Sequence, residues 1–219
     1  MKRAALSLEP SKNDFRTALQ IPEEEKLIVL VSRLAWEKTR VVEAAIQAVA
    51  KLHAEFAVHL AIVGSGDHQP LVRAAAQIAK TNAGKNIISV IGPMIDPLPC
   101  CQAADVVVDT ARVALEVLSC RRPLIAGGNV SYVGYLEPEN LQKAWAVYFG
   151  DHHWAYPLTV ERLTGDLRYI LQNPEEAEKN AKKLRTWART NFDIKKIAQQ
   201  TLQFYEDALA DRELSSDLL

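Results

Sequence analysis

Short apolar runs alternate with longer amphipathic stretches along the chain. Residues 27–31 (Leu-Ile-Val-Leu-Val), 57–63, 87–91, 106–108 and 124–126 are apolar almost throughout, without strict alternation. Runs of this kind read as strands covered on both faces. Glycine ends three of them, at Gly64, Gly92 and Gly127-Gly128. Between the runs lie helical patterns. Val41, Ala45, Ala48 and Leu52 recur at helical spacing. Residues 71–79 are alanine-rich and favour a helix. Residues 97–104 and 111–119 are shorter helix candidates. The strand–helix alternation predicts an α/β fold: a mostly parallel sheet with helices on both faces. A sixth short strand is expected near 147–149. From Thr159 onward the pattern is helical: 159–171, ended by Asn173-Pro174, then 175–190 with Glu178 and Lys182 at a favourable i, i+4 spacing. In a last helix Ile194, Ile197, Phe204, Tyr205 and Ala208 share one face, which is expected to pack against a core. Residues 215–219 are expected to fray.

Composition adds boundaries rather than chemistry. The 219 residues are 48% apolar and 24% charged, with a formal net charge of −1. That is the profile of a globular protein of about one domain. It argues against nucleic acid or an anionic membrane as the main partner. The chain opens with Lys2 and Arg3 but no sustained apolar core follows, so no signal peptide is read. No run approaches the roughly 18 apolar residues of a membrane span. Cys100, Cys101 and Cys120 fit neither a zinc pattern nor a disulfide framework. They read as small hydrophobes in a reduced, cytoplasmic compartment.

Three turns carry charge or glycine where an open α/β sheet would present a ligand. The first strand runs into Ser32-Arg33-Leu34-Ala35-Trp36-Glu37-Lys38. Its two cations, five residues apart and ahead of a helix start, can flank a diphosphate. The competing arrangement pairs Arg33 with Glu37 and leaves Lys38 solvated. The second strand runs into Gly64-Ser65-Gly66-Asp67, whose glycines allow a tight turn. This is no dinucleotide fingerprint, because position 69 is Gln69, and a Rossmann oxidoreductase is disfavoured. The fourth strand runs into Asp109-Thr110-Ala111-Arg112, with Glu116 one turn deeper in the next helix. Small residues there bring helix N–H groups near a ligand. Glu116 either accepts bonds from two vicinal hydroxyls or pairs with Arg112. Asp151-His152-His153 is read as a solvated loop, not a metal site. Trp145, Trp154, Trp187 and Tyr205 are assigned to the core, and His53 and His59 to structural roles.

Together these segments resemble the C-terminal domain of family 4 glycosyltransferases, which have the GT-B architecture. Ser32-Arg33-Leu34 and Lys38-Thr39 are similar to the family's Gly-Arg-Leu…Lys-Gly signature, with Ser32 and Thr39 in place of glycines. Residues 62–66 (Ile-Val-Gly-Ser-Gly) and 102–106 (Gln-Ala-Ala-Asp-Val) resemble its second and fourth strand segments. Residues 114–126 (Ala-Leu-Glu-Val-Leu-Ser-Cys-Arg-Arg-Pro-Leu-Ile-Ala) look like its leu-glu-ala-met-ala-x-gly-x-pro-val-ile-ala stretch. Phe204-Tyr205-Glu206 resembles the phrase that ends its closing helix. The likeness covers most of 20–210. Two departures stand out. Val108 occupies the place of the first of two glutamates, eight positions before Glu116. Residues 127–134 (Gly-Gly-Asn-Val-Ser-Tyr-Val-Gly) replace the usual gly-gly-x-pro-glu segment.

The resemblance implies a Rossmann-like donor-binding domain over 27–158, preceded by a lead-in segment, 1–26, and followed by C-terminal helices, 159–214, packed on the same domain. It implies that Arg33, Lys38, Thr110, Ala111 and Arg112 bind a donor diphosphate. It gives Glu116 the ribose and the Pro93-Met94-Ile95 loop the base. The implied activity is transfer of a sugar from a nucleoside-diphosphate sugar, with retention and without a cofactor or essential metal. The acceptor then comes from an N-terminal domain or companion chain, so this chain alone is expected to be poorly active, and no catalytic residue is assigned within it. Peripheral membrane association and a homodimer are compatible with the sequence. The alternative, motivated by Val108, is a non-catalytic nucleotide-sugar-binding or interaction module.

Overall fold

The computed structural model describes residues 12–153 and 156–216. It divides into two compact units, residues 1–185 and 186–219. The first is built on a six-stranded sheet: β1 Lys26–Val31, β2 Val58–Val63, β3 Ile88–Ile91, β4 Val106–Asp109, β5 Leu124–Gly127 and β6 Tyr132–Tyr135. The order is β3-β2-β1-β4-β5-β6. Strands β1 to β5 are parallel, and β6 closes the edge antiparallel to β5. This is the α/β arrangement read from the sequence.

The apolar runs became strands for the expected reason. All six residues of β2 are buried, as are 27–30 of β1 and 106–108 of β4. Such strands are sealed above and below by crossover helices. The helices of this unit are α1 Lys12–Ala18, α2 Thr39–Leu52, α3 Gln69–Ala83, α4 Leu98–Ala103, α5 Ala111–Ser119, α6 Leu141–Ala146 and α7 Val160–Gln172. Val41, Ala45, Ala48 and Leu52 of α2 are buried on the sheet side, as their spacing predicted. Phe15 of α1 is 1% exposed. Arg16 beside it donates to the carbonyls of Ala103, Pro22 and Glu25, so the lead-in is fastened to the sheet's amino end. Cys100 and Cys101 are buried, Cys120 is half-buried, and all three are free thiols. His59 is buried, with Nε2 2.9 Å from Ser89 Oγ. Burial lowers its pKa and favours the neutral ring.

Two expectations are corrected at this level. The strand placed at 147–149 is instead a turn of 3-10 helix, Tyr148–Gly150. Tyr148 and Phe149 take positive φ of 48° and 56°, which bends the chain too sharply for a strand. The sixth strand is β6, from the segment that replaces the family's gly-gly-x-pro-glu. Trp145, assigned to the core, is 37% exposed and packs its ring on Tyr148 and Phe149. Glu178 also reaches across to the end of α5, where it accepts from Arg121 Nη2 at 2.6 Å.

The second unit holds the end of α8 Pro174–Asn191 and all of α9 Ile194–Ser216. The apolar stripe of α9 was expected to meet a core. Within this unit it does not: Ile194, Phe204 and Tyr205 are 77%, 69% and 62% exposed. Two helical segments enclose too little volume to bury it. Trp154 and residues 1–11 and 217–219 lie outside the described residues.

Candidate functional site at the switch between β1 and β4

Strand order reverses between β1 and β4, and in open α/β sheets a crevice opens at the carboxyl ends of such a pair. A cavity of about 200 Å³ lies there. Arg33, Lys38, Thr110, Ala111 and Arg112 all line it, together with Val108, Asp109, Gly127, Gly128 and Asp151. The fold therefore gathers the five residues marked for diphosphate binding. Pro93, Met94 and Ile95 do not line it; they follow β3, two strands away, and Ile95 is fully exposed.

The first turn is held by the second. Ser32 N donates to Val63 O at 2.9 Å, Leu34 N to Ser65 O at 3.0 Å and His68 N to Leu34 O at 2.8 Å. The two backbones are so close that a Cβ on Gly64 would stand 1.9 Å from Ser32 O, and one on Gly66 2.4 Å from Leu34 O. Gly64 also has φ +142°. The glycine turn is thus a brace behind the Arg33–Lys38 turn.

The two cations differ. Arg33 is 74% exposed and pairs with Glu37 at 3.6 Å, one of the arrangements weighed from the spacing. Lys38 is not solvated. Its side chain is 25% exposed and Nζ lies 3.0 Å from Asp151 Oδ1. This corrects the solvated-loop reading of Asp151, which the sequence offered no means of pairing across 113 positions. Asn129 was also missed. Its Oδ1 accepts from Val41 N at 3.0 Å, capping α2 from the side, and its Nδ2 donates to Glu37 O. The only sequence signal was the unusual Gly-Gly-Asn after β5.

The start of α5 is more open. Its N-cap, Thr110, makes no side-chain cap bond, so the first-turn N–H groups keep their partial positive charge for a ligand. Ala111 sits at φ 53°, the left-handed region that a glycine takes more cheaply. Arg112 pairs with Glu116 at 3.4 Å. The second carboxylate oxygen of Glu116, Oε2, is shielded from solvent without a hydrogen-bond partner. A buried acceptor without a donor is costly, although Glu116 is not among the residues that line the cavity.

Asp109 lies at the cavity floor. It accepts from Val31 N at 3.1 Å and Thr110 N at 2.8 Å. Desolvation at the cavity floor outweighs these bonds and pushes its pKa up to about 8. The neutral acid is therefore the folded form at pH 7, and no negative charge sits under the cavity. A carboxyl whose folded pKa exceeds its unfolded value stabilises most below the unfolded value. That contribution declines as pH rises from about 4 and is gone above about 8. Asp109→Asn keeps an acceptor for Val31 N and removes the titration. Its Tm should fall less than wild type's between pH 5 and 8 in thermal melts; an unchanged slope would refute this assignment.

Fold and cavity define a Rossmann-like α/β domain with an anion-sized crevice at its switch point. Residues 25–147 match the family model for Glycosyl transferases group 1. That stretch is more than half of the 219 residues, and the chain belongs to this family. No curated protein gave a significant sequence match. Among solved structures it is similar to HepE of Anabaena in complex with UDP and glucose. That match has 18% identity and a TM-score of 0.68, covering 90% of this chain and 52% of that one. A glycosyltransferase from Rickettsia africae matches at 17% identity and a TM-score of 0.69, over 90% and 52%. WaaG, a glycosyltransferase of lipopolysaccharide biosynthesis, matches at 20% and 0.58, over 82% and 46%. These structural matches show the fold as that of GT-B enzymes. The chain spans about half the length of each. No helix among its described residues is long and apolar enough to cross a membrane.

Proposed function

We propose that this chain is the donor-binding domain of a glycosyltransferase that takes its sugar from a nucleoside-diphosphate sugar. The observation that carries the reading is the convergence of Lys38, Arg33 and the uncapped start of α5 on one crevice. A diphosphate there meets two cations and a set of free N–H groups. Those charges also stabilise the diphosphate as it leaves, which is where charge develops during transfer. Glu116 Oε2 takes the ribose hydroxyls. The complexes of HepE with UDP and with UDP-glucose support the ligand class. The acceptor is supplied by a second domain or companion chain, in keeping with the length of the similar structures, and transfer proceeds with retention.

Calorimetric titration with UDP, GDP and ADP tests the reading; at least one should bind, and binding by none would overturn it. The ribose role has its own check. Wild type should prefer a ribonucleoside diphosphate to its 2′-deoxy form by about tenfold, the scale of one hydrogen bond to a charged group. Glu116→Ala should erase that preference. If the preference persists in the variant, Glu116 does not hold the ribose.

One feature favours a second reading, a binding module without catalysis. Val108 is fully buried where the family pattern has a carboxylate, so β4 presents no acid at that position. A chain that binds the nucleotide sugar, yet shows no transfer or donor hydrolysis when joined to its acceptor partner, would decide for this reading.

A further inference from the structure

A second cavity, of about 480 Å³, opens at the opposite end of the sheet. It is lined by Lys26 at the start of β1, by Asp105 just before β4, and by Arg121 and Arg122 just before β5. Glu178 and Arg185 of α8 complete its charged wall. Four cations thus face two carboxylates, a formal excess of +2. Both carboxylates are already engaged. Asp105 accepts from Leu27 N at 2.8 Å and pairs with Arg16 at 3.4 Å and Lys26 at 3.7 Å. Glu178 takes Arg121 at 2.6 Å. Arg122 and Arg185 have no ion pair among the described residues. The Nε–H groups of Arg121, Arg122 and Arg185 are all shielded from solvent without an acceptor. Buried donors are normally satisfied, and three failures around one cavity point to an acceptor that belongs there.

The backbone adds an independent sign. Arg121 follows the C-terminus of α5 with φ 57°. Glycine is the common residue at such a left-handed helix end, and a side chain there carries strain. The chain tolerates that strain to place a guanidinium on the cavity wall.

We propose that this cavity binds a phosphate monoester, separately from the donor crevice. A monoester carries a charge of about −1.5 to −2 at neutral pH, which matches the excess. Its oxygens suit the forked donors of arginine. Ile170, Leu171 and Pro174 form an apolar wall for the group that carries the ester. The cavity has room for more than bare phosphate.

The test is calorimetry of the full chain with phenyl phosphate and inorganic phosphate. Phenyl phosphate binds more tightly than inorganic phosphate, and Arg122→Gln/Arg185→Gln weakens both by about tenfold or more. Lys38→Ala leaves phenyl phosphate binding within about twofold, and the double variant leaves nucleotide binding unchanged; charges this far apart are screened. A second measurement needs no variant. Phenyl phosphate protects Arg122 and Arg185, but not Arg33, from phenylglyoxal modification read by mass spectrometry. Vesicles containing phosphatidic acid separate the sources. Arginine-dependent co-sedimentation assigns the ester to a lipid headgroup and its absence to a soluble ligand; either upholds a phosphoryl site. The proposal is overturned if neither phosphate binds, if binding is lost in Lys38→Ala but kept in the double variant, or if no protection of Arg122 and Arg185 is seen.

Discussion

Lys38→Ala weakens nucleoside-diphosphate binding by about 10- to 100-fold in calorimetric titration, while Arg33→Ala costs less than about tenfold. A hydrogen bond to a charged group is worth about 1.5–3 kcal/mol, and the Lys38 ammonium is positioned to deliver most of that. Its side chain is three-quarters buried, and Asp151 holds Nζ at the crevice. Arg33 is largely solvated and shares its charge with Glu37, so it behaves as an exposed pair worth under about 1 kcal/mol. Removing the lysine also leaves Asp151 facing the diphosphate, an unscreened like charge. The double variant Lys38→Ala/Asp151→Asn should therefore recover part of the affinity, and a thermodynamic cycle over the two sites should be clearly non-additive. Wild-type affinity in Lys38→Ala would remove the lysine from the site. The pH dependence follows from Asp109. Deprotonation near pH 8 puts a negative charge under the crevice, so affinity declines above that pH, and Asp109→Asn should suppress the decline.

Gly64→Ala is expected to be the most damaging of the glycine-to-alanine changes. Its Cβ would overlap Ser32 O at 1.9 Å, and its φ of +142° is one that an alanine resists. Neither neighbour yields easily. The clash is with backbone, and Ser32 N is itself tied to Val63 O. A loss of about 3 kcal/mol or more is expected, which for a chain of this size lowers Tm by roughly 6–12 °C. Because Ser32 opens the turn that carries Arg33 and Lys38, nucleotide affinity should fall as well, although residue 64 touches no ligand. A melt within 2 °C of wild type would mean that the two turns are not braced as described. Gly165→Ala is a useful contrast, since a Cβ there meets nothing within 4 Å and its backbone is not left-handed.

Much of this was legible in the chain itself. Unbroken apolar runs mark buried parallel strands because such strands have no solvent face, and five of six were read this way. The sixth was misplaced. Val147 and Phe149 are apolar, but Phe149 sits in a tight 3-10 turn that Val147 precedes, whereas Tyr132–Tyr135 holds a glycine and pairs as an edge strand. Edge strands have weaker patterns because one side lacks a neighbour. Helix periodicity located α2 correctly, but it also made α9 look like a core helix. Periodicity reports that a face is apolar, not that something covers it.

The local chemistry of this protein was settled by sequence: which turns carry cations, where a glycine is required and which helix begins with small residues. These follow from residue type and short spacing, because backbone preferences act over a few positions. What only the tertiary structure decided was partnership at long range. Lys38 meets Asp151, Asn129 caps α2, and Arg122 and Arg185 share a cavity with Lys26. Such pairs are separated by roughly 60 to 160 positions, and no local propensity encodes them. They exist because parallel crossovers return the chain to the same end of the sheet, so that residues at like ends of different strands become neighbours.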